Sequence, residues 1–151
     1  MAWNELDGLF GAWVAEQTSG GIGPQQAMGE FSFKPQLGGV IVIRESIADY
    51  PASSGKAAYR HEDLMVIFSQ ERGMRAVYWD SECHHIEYKV HMRPQDHEIE
   101  FLSEPDPRAP AFRLTYRILG SDRMHGKFEI QPPGATTYSV YLEWDATRKR
   151  E

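Results

Sequence analysis

Between His84 and Met92 the sequence alternates with a period of two: His84, Ile86, Tyr88 and Val90 interleave with His85, Glu87, Lys89 and His91. An extended strand sends successive side chains to opposite faces, so the first set is expected to face a core and the second water. The pattern returns in Phe112, Leu114, Tyr116 and Ile118 against Arg113, Thr115 and Arg117. It returns again in Met124, Phe128 and Ile130 against His125, Lys127 and Glu129. A chain patterned this way has to build a sheet with one buried face.

Ten short runs are predicted as strands: 12–18, 28–34, 40–48, 58–69, 74–81, 84–92, 98–103, 111–119, 124–131 and 137–144. Breaks at Ser19-Gly20-Gly21, Gly38-Gly39, Glu71-Arg72-Gly73, Arg93-Pro94-Gln95-Asp96, Gly120-Ser121-Asp122 and Pro132-Pro133-Gly134 separate them. Most of these connections have hairpin length, so sequence neighbours should pair in space. The expectation is one all-β domain over residues 1–151, an antiparallel up-and-down barrel of about ten strands. Only the start reads as helical. Asn4 could cap a turn that puts Leu6, Leu9 and Phe10 on one side, ahead of Trp13, giving a short helix that plugs one barrel end. The stretch 50–56, with Pro51, two serines and Gly55, reads as a loop at the mouth.

The net charge of −6 excludes the basic face that a phosphate-tracking protein needs, so no nucleic-acid partner is expected. Arg148-Lys149-Arg150 reads as a solubilising tail. The single cysteine, Cys83, rules out an intramolecular disulfide and points to a reducing compartment. The opening residues lack the basic and apolar regions of a signal peptide. No stretch approaches the roughly 18 to 20 apolar residues of a membrane helix. A cytoplasmic protein with no membrane partner is expected.

Register follows from the turns. A two-residue turn at Glu82-Cys83 would pair Ser81 with His84 and Trp79 with Ile86, while a turn at Glu71-Arg72 would pair Leu64 with Trp79 and Glu62 with Ser81. Glu62, Ser81 and His84 then form a polar row on the inner face, with Arg60 two residues further on. The apolar wall would include Trp79, Tyr88, Phe101, Phe112 and Tyr116, and Asp63, Asp80 and His85 would line up outside.

Inward ionisable groups need partners or a wet cavity. The leading expectation is therefore a binding barrel for a small, largely hydrophobic molecule with a polar end, held by Arg60, Glu62, Ser81 and His84 against Trp79, Tyr88, Phe101, Phe112 and Tyr116. One alternative is a small enzyme (isomerase, cyclase or hydrolase) using Glu62 and His84 as an acid–base pair. Another is a packed barrel that works through its outer face or as a homodimer. His84 and His85 point to opposite faces, so they cannot share a metal ion. No phosphate loop, Cys-x-x-Cys pair or dinucleotide fingerprint is present.

Gly11-Ala12-Trp13 at the first strand, the meander, and the aromatic closing strand from Tyr138 to Trp144 resemble calycin-type barrels. The nitrobindin-like and fatty-acid-binding-protein-like domains are the nearest in layout. The resemblance implies a barrel enclosing a small hydrophobic ligand or a haem. Nitrobindin-like domains hold haem through a histidine near the C-terminus. This sequence has none after His125, which itself is expected to face outward, so haem would need another ligand.

Overall fold

The two-residue period becomes a closed barrel in the computed structural model, which describes residues 6–18 and 28–150. The strands are β1 (Gly11–Gln17), β2 (Met28–Gln36), β3 (Ile41–Tyr50), β4 (Tyr59–Gln70), β5 (Gly73–Asp80), β6 (His85–Arg93), β7 (Glu98–Ser103), β8 (Ala111–Ile118), β9 (Arg123–Gln131) and β10 (Ser139–Arg148). Each pairs antiparallel with its sequence neighbours, and β1 pairs with β10, so no sheet edge is left open. Each run expected from the sequence overlaps one of these strands. Among the described residues no helix is long and apolar enough to cross a membrane.

The expected N-terminal helix is a single 3-10 turn, Asp7–Leu9, after which Phe10 is already extended. So short a segment cannot offset the cost of nucleating an α-helix, and tertiary packing fixes it instead. Leu6 and Leu9 are fully buried, and Trp13 Nε1 donates to the Leu9 carbonyl at 2.8 Å. Asn4 and the Ser19-Gly20-Gly21 break lie outside the described residues.

The C-terminal basic run is not a loose tail. β10 continues past Trp144 to Arg148, which pairs with Trp13 across the β1–β10 seam. The Arg148 guanidinium stacks over the Trp13 ring at 4.3 Å and donates to the carbonyls of Phe10, Gly8 and Ser121. One arginine thereby ties the seam to the 3-10 turn.

The β4–β5 pairing follows the expected register, with Val66 opposite Val77 and Leu64 opposite Trp79. The β5–β6 pairing does not: Trp79 faces His85, Tyr78 faces Ile86 and Ala76 faces Tyr88. The connecting turn has three residues, Ser81, Glu82 and Cys83, because Asp80 pairs with His84 through the Asp80 N–H to His84 carbonyl bond (3.3 Å). Asp80 Oδ1 accepts the N–H groups of Glu82 (2.9 Å) and His84 (3.0 Å), and Cys83 takes the left-handed conformation (φ 68°) that a three-residue hairpin turn requires.

One extra turn residue turns β5 over, and β4 turns with it. Met65, Ile67, Ala76 and Tyr78 therefore face the interior. Leu64, Val66 and Val77 face outward with Trp79, which is 44% exposed. Part of the interior is filled by Leu6, Leu9, Trp13, Phe33, Ile67 and Met124, all fully buried. The remainder is cavity.

Candidate functional site

A cavity of about 500 Å³ occupies the rest of the barrel. Phe31, Tyr88, Phe112, Tyr116, Phe128 and Trp144 contribute rings to its wall, and it reaches the surface beside the exposed residues Lys56, Glu82 and His84.

Arg44 on β3 lies among these rings. Val42 and Arg44 share one face of the strand, and that face is buried. The Arg44 side chain is 6% exposed. Its Nη2 donates to Asp63 Oδ1 on β4, and its Nη1 donates to Tyr116 Oη on β8 at 2.9 Å. Burial opposes a charged guanidinium, but the Asp63 carboxylate and the Tyr116 hydroxyl outweigh it and hold Arg44 firmly protonated. Burial raises the Tyr116 pKa, against the lowering effect of Arg44.

From Asp63 a polar chain runs toward the mouth. Asp80 faces Asp63 across the β4–β5 pair. His61 Nε2 lies 3.3 Å from Asp63 Oδ2 and 3.3 Å from Tyr78 Oη, and its Nδ1 lies 3.3 Å from Glu82 Oε2. Tyr78 donates to Asp80 Oδ2 at 3.0 Å, and His84 Nδ1 meets the same oxygen at 2.9 Å. The hydrogen bond to Asp63 raises the His61 pKa, with burial pulling the other way. Burial would raise Asp80, but the hydrogen bonds from His84 and Tyr78 hold it below the ordinary carboxylate value. Burial, with Asp63 adding to it, pushes Tyr78 strongly upward. Ligand atoms of His61, Asp80 and Glu82 lie within 4.8 Å of one another, so this corner could hold a small cation or share one proton on His61.

Two buried donors have no partner. Among the described residues, Arg44 Nε and Trp144 Nε1 are the buried side-chain polar atoms without a hydrogen bond. The Trp144 indole lies flat over Gly126, its strand partner on β9, where a side chain would collide with the ring.

The residues expected from the sequence divide into two groups. Tyr88, Phe112, Tyr116 and His84 line the cavity. Phe101 is fully buried but lies in the filled core, edge-on to Tyr88 and Tyr116 with centroids 6.0 Å from each. Arg60, Glu62, Trp79 and Ser81 are exposed and lie off the cavity wall, because the three-residue turn put their parity outside. Arg60 pairs with Asp49 (2.7 Å), Ser81 Oγ accepts the Glu62 N–H (3.0 Å), and Trp79 packs edge-on to His85 (5.5 Å). Glu62 and His84 do not form an acid–base pair, since Asp80 is the carboxylate that His84 meets. Asp63 and Asp80, expected outside with His85, face inward.

Arg44, His61, Asp63, Tyr78 and Asp80 were thus missed. The available signal was Asp80 itself, since an aspartate at the head of Asp80-Ser81-Glu82-Cys83-His84 can accept backbone N–H groups and set a longer turn. His125 faces outward with Nδ1 2.7 Å from Asp145 and Nε2 2.7 Å from Glu143, so both ring nitrogens are occupied.

No family model and no curated protein matches the sequence. Among solved structures, the chain is similar to an S-type phycobiliprotein lyase from Guillardia theta, with 8% identity and a TM-score of 0.57 over 97% of this chain and 90% of that one. Such identity shows the fold alone, a closed ten-stranded antiparallel barrel, and singles out neither nitrobindin-like nor fatty-acid-binding-protein-like domains.

Proposed function

We propose that this barrel binds one small, largely apolar molecule that enters beside Glu82 and His84 and carries a polar group to the level of Arg44. The observation that carries this reading is a ring-lined cavity that opens beside Lys56, Glu82 and His84 and has the paired charges of Arg44 and Asp63 in its wall. A cavity of about 500 Å³ is within the range that small-molecule sites occupy. The likeness to a phycobiliprotein lyase supports a barrel that handles a small molecule, and it does not identify the guest.

The test is native mass spectrometry of freshly purified protein together with titration by Nile red, a neutral apolar dye. Saturable binding of one dye per chain is expected, with loss of binding in Ile130→Trp, which fills the cavity from β9. Absence of saturable binding, or equal binding by Ile130→Trp, would overturn the proposal.

A further inference from the structure

The corner where the polar chain reaches the mouth has the donors and the spacing of a transition-metal site. One ligand atom each from His61, Asp80 and Glu82 lies within 4.8 Å of the other two. Metal bonds of about 2.0–2.1 Å at tetrahedral angles hold neighbouring ligand atoms about 3.3 Å apart. His61 Nδ1 and Glu82 Oε2 already stand at 3.3 Å. The widest separation has to close by at most about 1.5 Å. The Glu82 side chain, 53% exposed on the turn, can swing that far.

The groups behind the ligands fit the same role. A metal-bound histidine almost always donates its other ring N–H to a carboxylate, carbonyl or water, which fixes its tautomer and orientation. His61 turns Nδ1 to Glu82, while its Nε2 lies 3.3 Å from Asp63 Oδ2, and Arg44 holds Asp63 in turn. Asp80 is fixed as well: Oδ1 accepts two N–H groups of the turn, and Oδ2 accepts from Tyr78. The His84 ring on Oδ2 is 63% exposed and can turn aside to free a lone pair for a cation.

Charge supplies an independent argument. Asp63, Asp80 and Glu82 bring three carboxylates to this corner, and Arg44 is paired with the first. Lys56, the other permanent cation of the cavity lining, stands over the Tyr59 ring at 5.4 Å. With the imidazoles neutral, two negative charges remain, which a divalent cation balances.

We infer that His61, Asp80 and Glu82 bind one divalent transition-metal ion at the rim of the cavity, Zn²⁺ in preference to Ca²⁺. An imidazole nitrogen beside two carboxylates suits zinc, whereas calcium needs about six to eight oxygens. Three protein ligands leave zinc a fourth position for water or a guest, since all three residues line the cavity. The metal site stands without the binding role proposed above.

The test is calorimetric titration of chelator-treated protein with Zn²⁺ at pH 7.5, repeated with Ca²⁺. One Zn²⁺ per chain is expected, at least about tenfold tighter than Ca²⁺, and saturating zinc should raise the urea midpoint. His61→Gln and Glu82→Gln should each weaken Zn²⁺ binding by about 10–100-fold or more. His91→Gln, on the exposed outer face of β6, should leave it unchanged. Should His61→Gln fold poorly, Glu82→Gln carries the test alone, because its side chain lies on an exposed turn. Lack of saturable Zn²⁺ binding, equal affinity for Ca²⁺, parent-like affinity in Glu82→Gln, or loss of binding in His91→Gln would overturn the inference. Nile red binding by the metal-free protein is read separately, so each of these results leaves the binding role to its own test.

Discussion

Asp63 on β4 and Asp80 on β5 stand directly opposite one another, both turned into the barrel, with side chains 10% and 3% exposed. Two like charges facing each other across a strand pair destabilise it unless a cation intervenes. Arg44 serves Asp63, His84 meets Asp80, and His61 lies between them, 3.3 Å from Asp63 and 3.9 Å from Asp80. The hydrogen bond to Asp63 raises the folded-state pKa of His61 above its unfolded value, with burial opposing. A raised pKa gives stability that is fully present below about pH 6.5, the unfolded value, and is lost as pH rises through the folded value. The urea midpoint should therefore fall between pH 6 and pH 9, and should fall less in His61→Gln. Equal pH slopes in the two proteins would rule out His61 as the group that relieves the facing carboxylates.

The turn that sets this arrangement contains a correctable strain. Cys83 is exposed and holds φ at 68°, a conformation disfavoured for every residue with a Cβ. Cys83→Gly removes that cost, while the more flexible unfolded chain returns part of it. A net gain of about 0.5–1 kcal/mol is expected, read as a higher urea midpoint at unchanged slope. A loss of stability would show that residue 83 does not need the left-handed region.

The same turn explains what the sequence could and could not reveal. Strands β6, β8 and β9 alternate cleanly, so their inner residues, Tyr88, Phe112 and Tyr116 among them, were legible, and with them the ten-stranded barrel. In β4 and β5 both faces are apolar: Leu64 and Val66 oppose Met65 and Ile67, and Val77 and Trp79 oppose Ala76 and Tyr78. Polarity could not choose between those faces, and the decision fell to one residue of turn length. Glu62, Ser81 and Trp79 consequently exchanged places with His61, Asp63, Asp80 and Tyr78. Arg44 was hidden for another reason. A buried arginine becomes plausible only when its partners are known, and Tyr116 lies 72 residues away along the chain.

Arg44 and Asp63 should prove energetically inseparable. Replacing Arg44 by Met leaves the Asp63 carboxylate buried opposite Asp80 without its main cation, a loss of about 3–5 kcal/mol. Adding Asp63→Asn to that variant removes the stranded charge, and about half or more of the loss should return, as expected for directly coupled neighbours. Denaturant unfolding of the two single variants and the double variant measures the coupling. Strict additivity would show that the two side chains do not act as a pair.

Gly126 offers a test of the cavity wall that leaves its charges untouched. It faces Trp144 across the β9–β10 pair, and an added Cβ would lie 2.2 Å from Trp144 Cε2 and 2.4 Å from Nε1. Neither the strand backbone nor a flat indole can absorb that overlap in place, so in Gly126→Ala the ring has to lift from the strand into the cavity. Overpacking of this kind costs about 1–3 kcal/mol, and the displaced indole also takes up space in which the guest would lie. Gly126→Ala should therefore lose stability and at least about tenfold in Nile red affinity, roughly 1.4 kcal/mol of binding. Because the cause is steric, adding Trp144→Leu should restore most of the stability. If Gly126→Ala matches the parent in both stability and dye binding, the indole does not lie over Gly126.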